Sequence, residues 1–147
     1  MPRDMTDAEL RDFLTDGTRT GKLAWVGASG QPHVAPIWFV LDDEADGLEV
    51  VFNTGAQSAK GRAIRRDPRV SLLVDDERPP FAFAKLTGSV SISEDLDELI
   101  RWATRIGGRY MGADRAEEFG RRNGVPGELL VRLRPSRVIA ETDVSGS

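Results

Sequence analysis

The segment from Asn53 to Lys60 contains the residue types that bind phosphate, at the spacing of a strand-to-helix turn. Asn53 and Thr54 end an apolar run, and Ser58 and Lys60 stand where a helix is predicted to begin. The first turn of a helix carries free N–H groups and the positive end of the helix dipole, both of which favour an anion. The segment therefore predicts either a phosphate site or, as the alternative, a capped surface helix with a solvated lysine.

A second segment, around His33, has the composition of a platform for a flat ligand. Pro32 and Pro36 break up a β-rich run, which is typical of an edge or bulged strand with unpaired backbone groups. Such groups can bond a heterocycle, with Ile37 or Trp38 packed beneath it. For Trp38 and Phe39 the alternative is core filling. His33 is the one histidine. We expect it on the surface more readily than in catalysis.

Composition excludes several function classes. The 147 residues contain no cysteine, which rules out disulfides, thiolate metal sites and cysteine nucleophiles, and no metal site is expected. The net charge of −4 does not favour nucleic acid. A cationic block at residues 58–69 nevertheless suggests a small anionic partner. Without a long apolar run or a signal-like start, we expect no membrane span and a cytoplasmic protein.

The elements that position these segments are short strands in hairpin order. A capping box at Thr6 and Glu9 begins a first helix, Ser58 caps a second, and Ser93 begins the longest. Gly88 predicts a bulge, and Pro135 a break in the last strand. We expect strands at residues 21–26, 33–41, 48–53, 70–74 (buried on both faces), 81–92, and 129–133 with 137–140. Residues 42–47 should form a solvated acidic loop, and residues 114–122 a helical stretch. The inward-facing residues of the longest helix are predicted to be Leu96, Leu99, Ile100, Ala103, Ile106 and Tyr110. This order predicts a mainly β fold with peripheral helices, a small closed or half-closed antiparallel barrel.

Three segments resemble the pyridoxamine 5′-phosphate oxidase-like, or flavin/deazaflavin oxidoreductase, superfamily. They are GQPHVAPIWFV (30–40), VFNTGAQSAKGRAIRRDPRVSLLV (51–74) and LLVRLRPSRVIAE (129–141). The resemblance implies a six-stranded antiparallel split β-barrel (FMN-binding split barrel). The length of the chain predicts one domain over residues 1–147, and we expect flexible tails at about 1–5 and 142–147. The resemblance also implies a homodimer with two cofactor sites at the subunit interface.

The resemblance also implies a site. The phosphate would lie at Thr54, Ser58 and Lys60, the ring would lie along residues 33–38, and Phe83 would close the pocket from the other subunit. The cofactor-binding residues implied by the resemblance are His33, Val34, Pro36, Ile37, Trp38, Asn53, Thr54, Ser58, Ala59, Lys60, Arg62 and Phe83. Among them only His33 is a candidate acid or base.

The sequence departs from the pattern of true pyridoxamine phosphate oxidases at positions that bear on its function. Ala59 replaces the arginine that precedes the phosphate lysine in true pyridoxamine phosphate oxidases, and no histidine follows Arg134. Vitamin B6 oxidation is therefore not expected. The sequence looks more like the branch that uses the deazaflavin coenzyme F-420, whose oligoglutamate tail would follow Arg62, Arg65 and Arg66.

The resulting expectation is hydride transfer between F-420 and a small unsaturated organic substrate that the sequence does not identify. The alternatives are an FMN-binding oxidase or reductase on the same fold, and a flavin- or tetrapyrrole-binding protein without turnover.

Overall fold

The fold is one antiparallel sheet with four α-helices around it. The computed structural model describes residues 2–146 of the chain. The elements in chain order are β1 (Arg3–Asp4), α1 (Asp7–Thr15), β2 (Gly21–Val26), β3 (Pro32–Ile37), β4 (Val40–Leu41), β5 (Val50–Gly55), α2 (Ala59–Arg66), β6 (Arg69–Asp76), β7 (Ala82–Ser93), α3 (Leu96–Met111), α4 (Ala116–Asn123) and β8 (Glu128–Thr142).

The sheet curls into a half-barrel, as the mainly β prediction requires. Its strands follow the order β3-β2-β6-β7-β8-β5-β4, and β1 pairs with β8. The described residues form eight strands where six were predicted, because two strands of only two residues, β1 and β4, extend the sheet. β3 pairs with β2 alone. The two prolines of β3 therefore lie on an edge strand, as predicted.

The core fills the concave side of the sheet. Leu23, Leu72 and Leu86 are directly opposed on neighbouring strands and have no solvent exposure. The prediction that residues 70–74 are buried on both faces is wrong. Leu73 points to the other side and is 37% exposed within one protomer, whereas its neighbours Leu72 and Val74 face the core. The strand therefore alternates as a half-buried strand does.

The predicted starts of the two shorter helices, α1 and α2, are confirmed. Thr6 and Glu9 form the reciprocal capping box of α1, and the Ser58 hydroxyl accepts a hydrogen bond from the Gly61 amide at the start of α2. The predicted start of α3 is wrong. Asp95, not Ser93, is its N-cap and accepts from the amides of Asp97 and Glu98. The aspartate takes this position because its carboxylate reaches two free amides of the first turn.

The inward stripe of α3 also differs in part from the prediction. Leu96 and Ile100 are about two-fifths exposed (42% and 41%), so they are not inward-facing. Trp102, completely buried, takes their place against Val51 and Leu130 on the outer side of β5 and β8. The aromatic ring shifts the buried face of the helix by part of a turn.

The predicted strand over residues 33–41 is interrupted at Trp38 and Phe39. The Phe39 amide donates to the Tyr110 hydroxyl (3.2 Å), and the Phe39 carbonyl accepts from the Arg109 guanidinium (2.7 Å). These bonds satisfy the backbone that leaves the sheet. The same guanidinium donates to the carbonyls of Gly17 (3.0 Å) and Leu14 (2.8 Å), so α3 ties together three separate segments.

The acidic loop predicted at 42–47 is not solvated at its first residue, and the acid that follows the loop is buried as well. Asp42 and Glu49 are buried, and both carboxylates accept from Arg132, at 2.9 and 2.8 Å. Arg134 adds a further ion pair to Glu49 (2.8 Å). The sequence alone placed Asp42 in a solvated loop because its basic partner, Arg132, lies 90 residues away on β8.

This cluster predicts a stability loss in acid. Burial acts to raise the pKa of Asp42 and Glu49, but hydrogen bonds from the arginines outweigh it and both pKa values lie below the ordinary ones. The stabilisation is therefore complete above the unfolded pKa of about 4 and is lost as the pH falls through the lowered values. Arg132→Met should lower the free energy of unfolding by about 2 kcal/mol at neutral pH and flatten its decline below pH ~5.

Denaturant unfolding over a pH series measures this effect. Arg69→Met is the control, since it breaks only the exposed pair with Asp67 (2.7 Å) and should change stability little at neutral pH. An Arg132→Met chain that loses stability in acid as steeply as the unmodified chain contradicts the assignment.

The last two strands contain the predicted irregularity. The register between β7 and β8 shifts between Thr87 and Gly88, which confirms a bulge there, and Ser136 is the unpaired residue on β8. Pro135 does not end β8, so the predicted break is a local irregularity within one strand. At the chain ends, β1 pairs with β8, and the amide of Val144 donates to the Phe81 carbonyl. Flexibility of the tails stays a prediction.

Candidate functional site

The main candidate site is an open cleft between the start of α2, the end of β5 and the helices α3 and α4. We call it the Lys60 cleft. It has a volume of about 300 Å³. Its lining residues are Pro36, Ile37, Trp38, Asn53, Lys60, Ile106, Asn123 and Glu128. The structure thus brings together five of the predicted site residues, which come from the two separate segments identified in the sequence.

Short contacts fix the turn that leads into α2. The Ser58 hydroxyl donates to the Gly55 carbonyl (2.8 Å) and accepts from the Gly61 amide (2.9 Å). A Cβ on residue 61 would overlap the Gly55 carbonyl oxygen, so only glycine permits this approach. Thr54 is buried, with its hydroxyl 3.4 Å from that of Ser58. Thr54 and Ser58 therefore lie behind the cleft and shape the helix start.

The start of α2 leaves donors available for a ligand. The first three amides of a helix have no carbonyl partner within it, and Ser58 satisfies only that of Gly61. The amides of Ala59 and Lys60 remain, at the positive end of the helix dipole. A phosphate oxygen is the kind of acceptor that this arrangement suits.

Lys60 adds a charge that lacks a counter-ion. Its side chain is half-buried, and within residues 2–146 no carboxylate lies at ion-pair distance from the ammonium. Burial lowers the pKa of Lys60, and the charge of Glu128 partly offsets this effect. An anion in the cleft would compensate for the lost hydration of the ammonium. The donor set thus fits a phosphorylated cofactor.

One wall of the cleft is apolar and aromatic. Trp38 stacks on Tyr110, with ring centroids 5.0 Å apart and planes 6° from parallel, and also contacts the ring of Phe119 at 5.9 Å. The Tyr110 hydroxyl is itself fixed by the carbonyl of Arg19 (3.0 Å). Trp38 is therefore held rigidly, which suits a surface that positions a planar ring.

Three predicted residues line a neighbouring cleft on the other side of α2. His33, Ala59 and Arg62 lie there with Arg66, in a space of about 220 Å³. The imidazole of His33 stacks on Trp25, with centroids 5.7 Å apart. Arg65 instead pairs with Glu94 (2.8 Å), so this arginine does not continue the cationic path that the sequence suggested.

Val34 and Phe83 lie apart from both clefts. Val34 is 67% exposed on the sheet face opposite the core. Phe83 lines a third cleft with Asp75, Glu77 and Phe81. Within one protomer the structure therefore does not bring Phe83 to the Lys60 cleft, and its role across a subunit interface stays a prediction.

Sequence reasoning missed three residues of the Lys60 cleft. Glu128 begins β8 opposite Gly55 and accepts a hydrogen bond from the Asn53 amide group (2.9 Å). Asn123 ends α4, and Ile106 comes from the middle of α3. Glu128 immediately follows the turn that leads to the last strand, and pairing that strand with β5 would have pointed to it.

Residues 2–146 contain neither a candidate metal cluster nor a helix suited to span a membrane. In the described part of the chain, no group of three or more histidine and acidic side chains is placed to hold a metal ion. None of the helices over residues 2–146 combines the length and the apolar character needed to cross a bilayer.

Comparison with known proteins gives a family match and a curated relative. The family model described as pyridoxamine 5′-phosphate oxidase matches residues 6–141. A 5a,11a-dehydrotetracycline/5a,11a-dehydrooxytetracycline reductase of Streptomyces rimosus is 39% identical over 56 residues. That match covers 38% of this chain and 39% of the reductase, so this chain spans about two-fifths of the relative's length.

Two solved structures are similar over most of the chain. A conserved hypothetical protein of Mycobacterium tuberculosis has a TM-score of 0.82 and 29% identity, covering 96% of this chain and 87% of its own. A structure described as an F420 reductase has a TM-score of 0.66 and 25% identity, covering 86% of this chain and 94% of its own. Two of these relatives are described by name as reductases.

Proposed function

Since this chain belongs to the pyridoxamine 5′-phosphate oxidase family, we propose that it is a deazaflavin-dependent oxidoreductase. It would transfer hydride between coenzyme F-420 and a small unsaturated organic substrate. The observation that carries this proposal is the Lys60 cleft, where a half-buried ammonium, with no ion-pair partner among residues 2–146, lies beside a rigid aromatic wall. FMN on the same residues is the second candidate, because it carries the same kind of phosphate.

The residues divide the work of binding. Lys60 and the first amides of α2 would hold the phosphate, while Ser58 and Thr54 keep the helix start in place. Pro36, Ile37 and Trp38 would support the ring by backbone and apolar contacts. Asn53 faces the space between these two ends.

The cationic side of α2 favours F-420 over FMN. FMN ends in one phosphate, whereas F-420 continues into a tail with several carboxylates. Arg62 and Arg66 are exposed and line the neighbouring cleft on the other side of α2, so the tail would pass around the start of the helix to reach them. Each exposed pair contributes only ~1 kcal/mol or less, so the tail adds to the affinity without dominating it.

Vitamin B6 oxidation finds no support in the geometry. Arg134, the arginine nearest in sequence to the substrate-binding pattern of true pyridoxamine phosphate oxidases, is paired with Glu49 at 2.8 Å. It is therefore occupied within the chain.

The chemistry itself belongs to the cofactor. When bound, a reduced deazaflavin supplies a hydride for addition to a polarised carbon–carbon double bond. The chain's residues orient the ring and exclude water from one of its faces, and solvent supplies the proton. His33 stacks on Trp25 at the neighbouring cleft, so a role as proton donor is not part of the proposal.

A homodimer would complete the site. Val34 and Leu73 are apolar, exposed, and lie on the same outer face of the sheet. A second copy covering this face would bury them and would bring its own Phe83 towards the cofactor. This arrangement is the one that the family resemblance implies.

Turnover with defined reductants tests the proposal. In the absence of oxygen, the protein should accelerate the oxidation of reduced F-420 when a polarised alkene is added. The first alkene to test is 5a,11a-dehydrotetracycline. Activity only with FMN and oxygen would move the protein to the second candidate. Tight cofactor binding with no turnover across a broad panel of alkenes would contradict the proposed enzymatic activity and favour a cofactor-binding protein.

A further inference from the structure

The Lys60 cleft contains a carboxylate that a simple phosphate site would not need. Glu128 faces the same space as the Lys60 ammonium, close enough for its charge to act on the lysine although the two are not ion-paired. A negative charge beside an anion site opposes anion binding. A carboxylate at this position therefore suits a ligand that carries a hydrogen-bond donor as well as an anionic group.

Glu128 is held in place rather than free to swing away. One carboxylate oxygen, Oε1, accepts from the Asn53 side chain at 2.9 Å. The other, Oε2, lies beside Gly55, where the absence of a side chain leaves room for the carboxylate. A carboxylate has about four acceptor sites, so most of its capacity remains for a donor in the cleft.

We infer that Glu128 accepts a hydrogen bond from a hydroxyl of the polyol chain that joins the cofactor's ring to its phosphate. The inference rests on the proposed function. It names which part of the ligand this residue recognises: a donor hydroxyl located between the apolar wall of Trp38 and the ammonium of Lys60. Both F-420 and FMN carry such a ribityl chain directly before the phosphate.

The assignment gives Glu128 a selective role. It favours a phosphorylated polyol, because the hydrogen bond from the hydroxyl offsets the repulsion between the carboxylate and the phosphate. It disfavours a bare anion, which has no hydrogen-bond donor. Asn53 then acts as a positioning residue, because its amide group keeps the carboxylate directed into the cleft.

The test compares three ligands on Glu128→Gln. The glutamine keeps the size of the side chain and an oxygen that accepts from Asn53, but it removes the charge. Affinity for the unphosphorylated, ribityl-bearing deazariboflavin portion of F-420 should fall roughly tenfold, since the hydrogen bond loses its charged acceptor. Affinity for F-420 itself should fall by less, because its phosphate is also freed from the repulsion. Affinity for inorganic phosphate, measured by displacement of F-420, should instead rise several-fold, because the repulsion is gone.

A fall in affinity for the deazariboflavin portion together with a rise for inorganic phosphate is the result that supports the inference. Glu117→Gln on α4 is the matched control, because it removes the same charge from an exposed position and should change neither affinity. A parallel fall for all ligands would mean that Glu128 only maintains the shape of the cleft, and would overturn the inference. A rise or no change for the deazariboflavin portion would overturn it as well.

The failure of this inference is distinguishable from that of the proposed function. If the unmodified chain binds neither F-420 nor FMN, the proposed function fails and the assignment of Glu128 fails with it. If the unmodified chain binds F-420 tightly and Glu128→Gln leaves the affinity for the deazariboflavin portion unchanged, only the assignment fails. Circular dichroism and thermal unfolding of each variant identify loss of fold as a separate cause.

Discussion

Lys60→Ala is expected to weaken the binding of F-420 by roughly ten- to hundredfold, because a charge-assisted bond to the phosphate is lost. The ammonium is half-buried and has no counter-ion within the described residues. The alanine chain should be at least as stable as the original, since it no longer holds a partly desolvated charge. Fluorescence titration and thermal unfolding measure the two effects separately.

A matched control distinguishes the site from net charge. Arg121→Ala removes one positive charge from an exposed position on α4 and should leave the affinity for F-420 unchanged. Equal affinity in Lys60→Ala and the unmodified chain would remove Lys60 from the site. A similar loss in both variants would mean that the protein attracts the cofactor by its overall field alone.

Arg109→Met is expected to have the largest effect on stability, lowering the free energy of unfolding by about 3 kcal/mol. Its guanidinium donates to the carbonyls of Leu14, Gly17 and Phe39 at 2.7–3.0 Å. Methionine retains most of the apolar packing but leaves three acceptors without their charged donor. Trp38 precedes Phe39, so the loss should also disorder one wall of the Lys60 cleft.

Denaturant unfolding of two variants on the same helix checks this expectation. Arg105→Met lies one turn earlier, where the guanidinium packs over the ring of Trp102 (4.6 Å), and should cost about 1 kcal/mol or less. If the two substitutions destabilise the protein equally, the three hydrogen bonds from Arg109 to backbone carbonyls do not make the predicted contribution to the free energy of unfolding.

Local signals in the sequence predicted much of this fold. The capping box at Thr6, the cap at Ser58 and the bulge next to Gly88 all depend on neighbouring residues, and the structure contains them. Proline content correctly placed β3 at a sheet edge. These features succeed because each is decided within a few residues of chain.

The failures involve partners that are distant in sequence. The strand around Trp38 breaks because Arg109 and Tyr110, about 70 residues later, bond to the backbone of Phe39. Asp42 and Glu49 are buried because Arg132 reaches them. No periodicity in either segment carries this information, since the competing hydrogen bonds exist only once the sheet has formed.

The candidate site shows the same division. Lys60, Asn53 and the residues from Pro36 to Trp38 were identified from two local patterns, and the fold brings them to one cleft. Glu128 was missed because it stands alone after a turn, and only its pairing with β5 reveals it. The relation between His33 and the cleft was also not predictable, because α2 separates them.

A parallel titration of the purified protein with F-420 and with FMN, followed by fluorescence, tests the central claim most directly. We expect tight binding of F-420 and markedly weaker binding of FMN, because only F-420 extends beyond its phosphate towards Arg62 and Arg66. Tighter binding of FMN, or binding of neither ligand, would contradict the deazaflavin assignment.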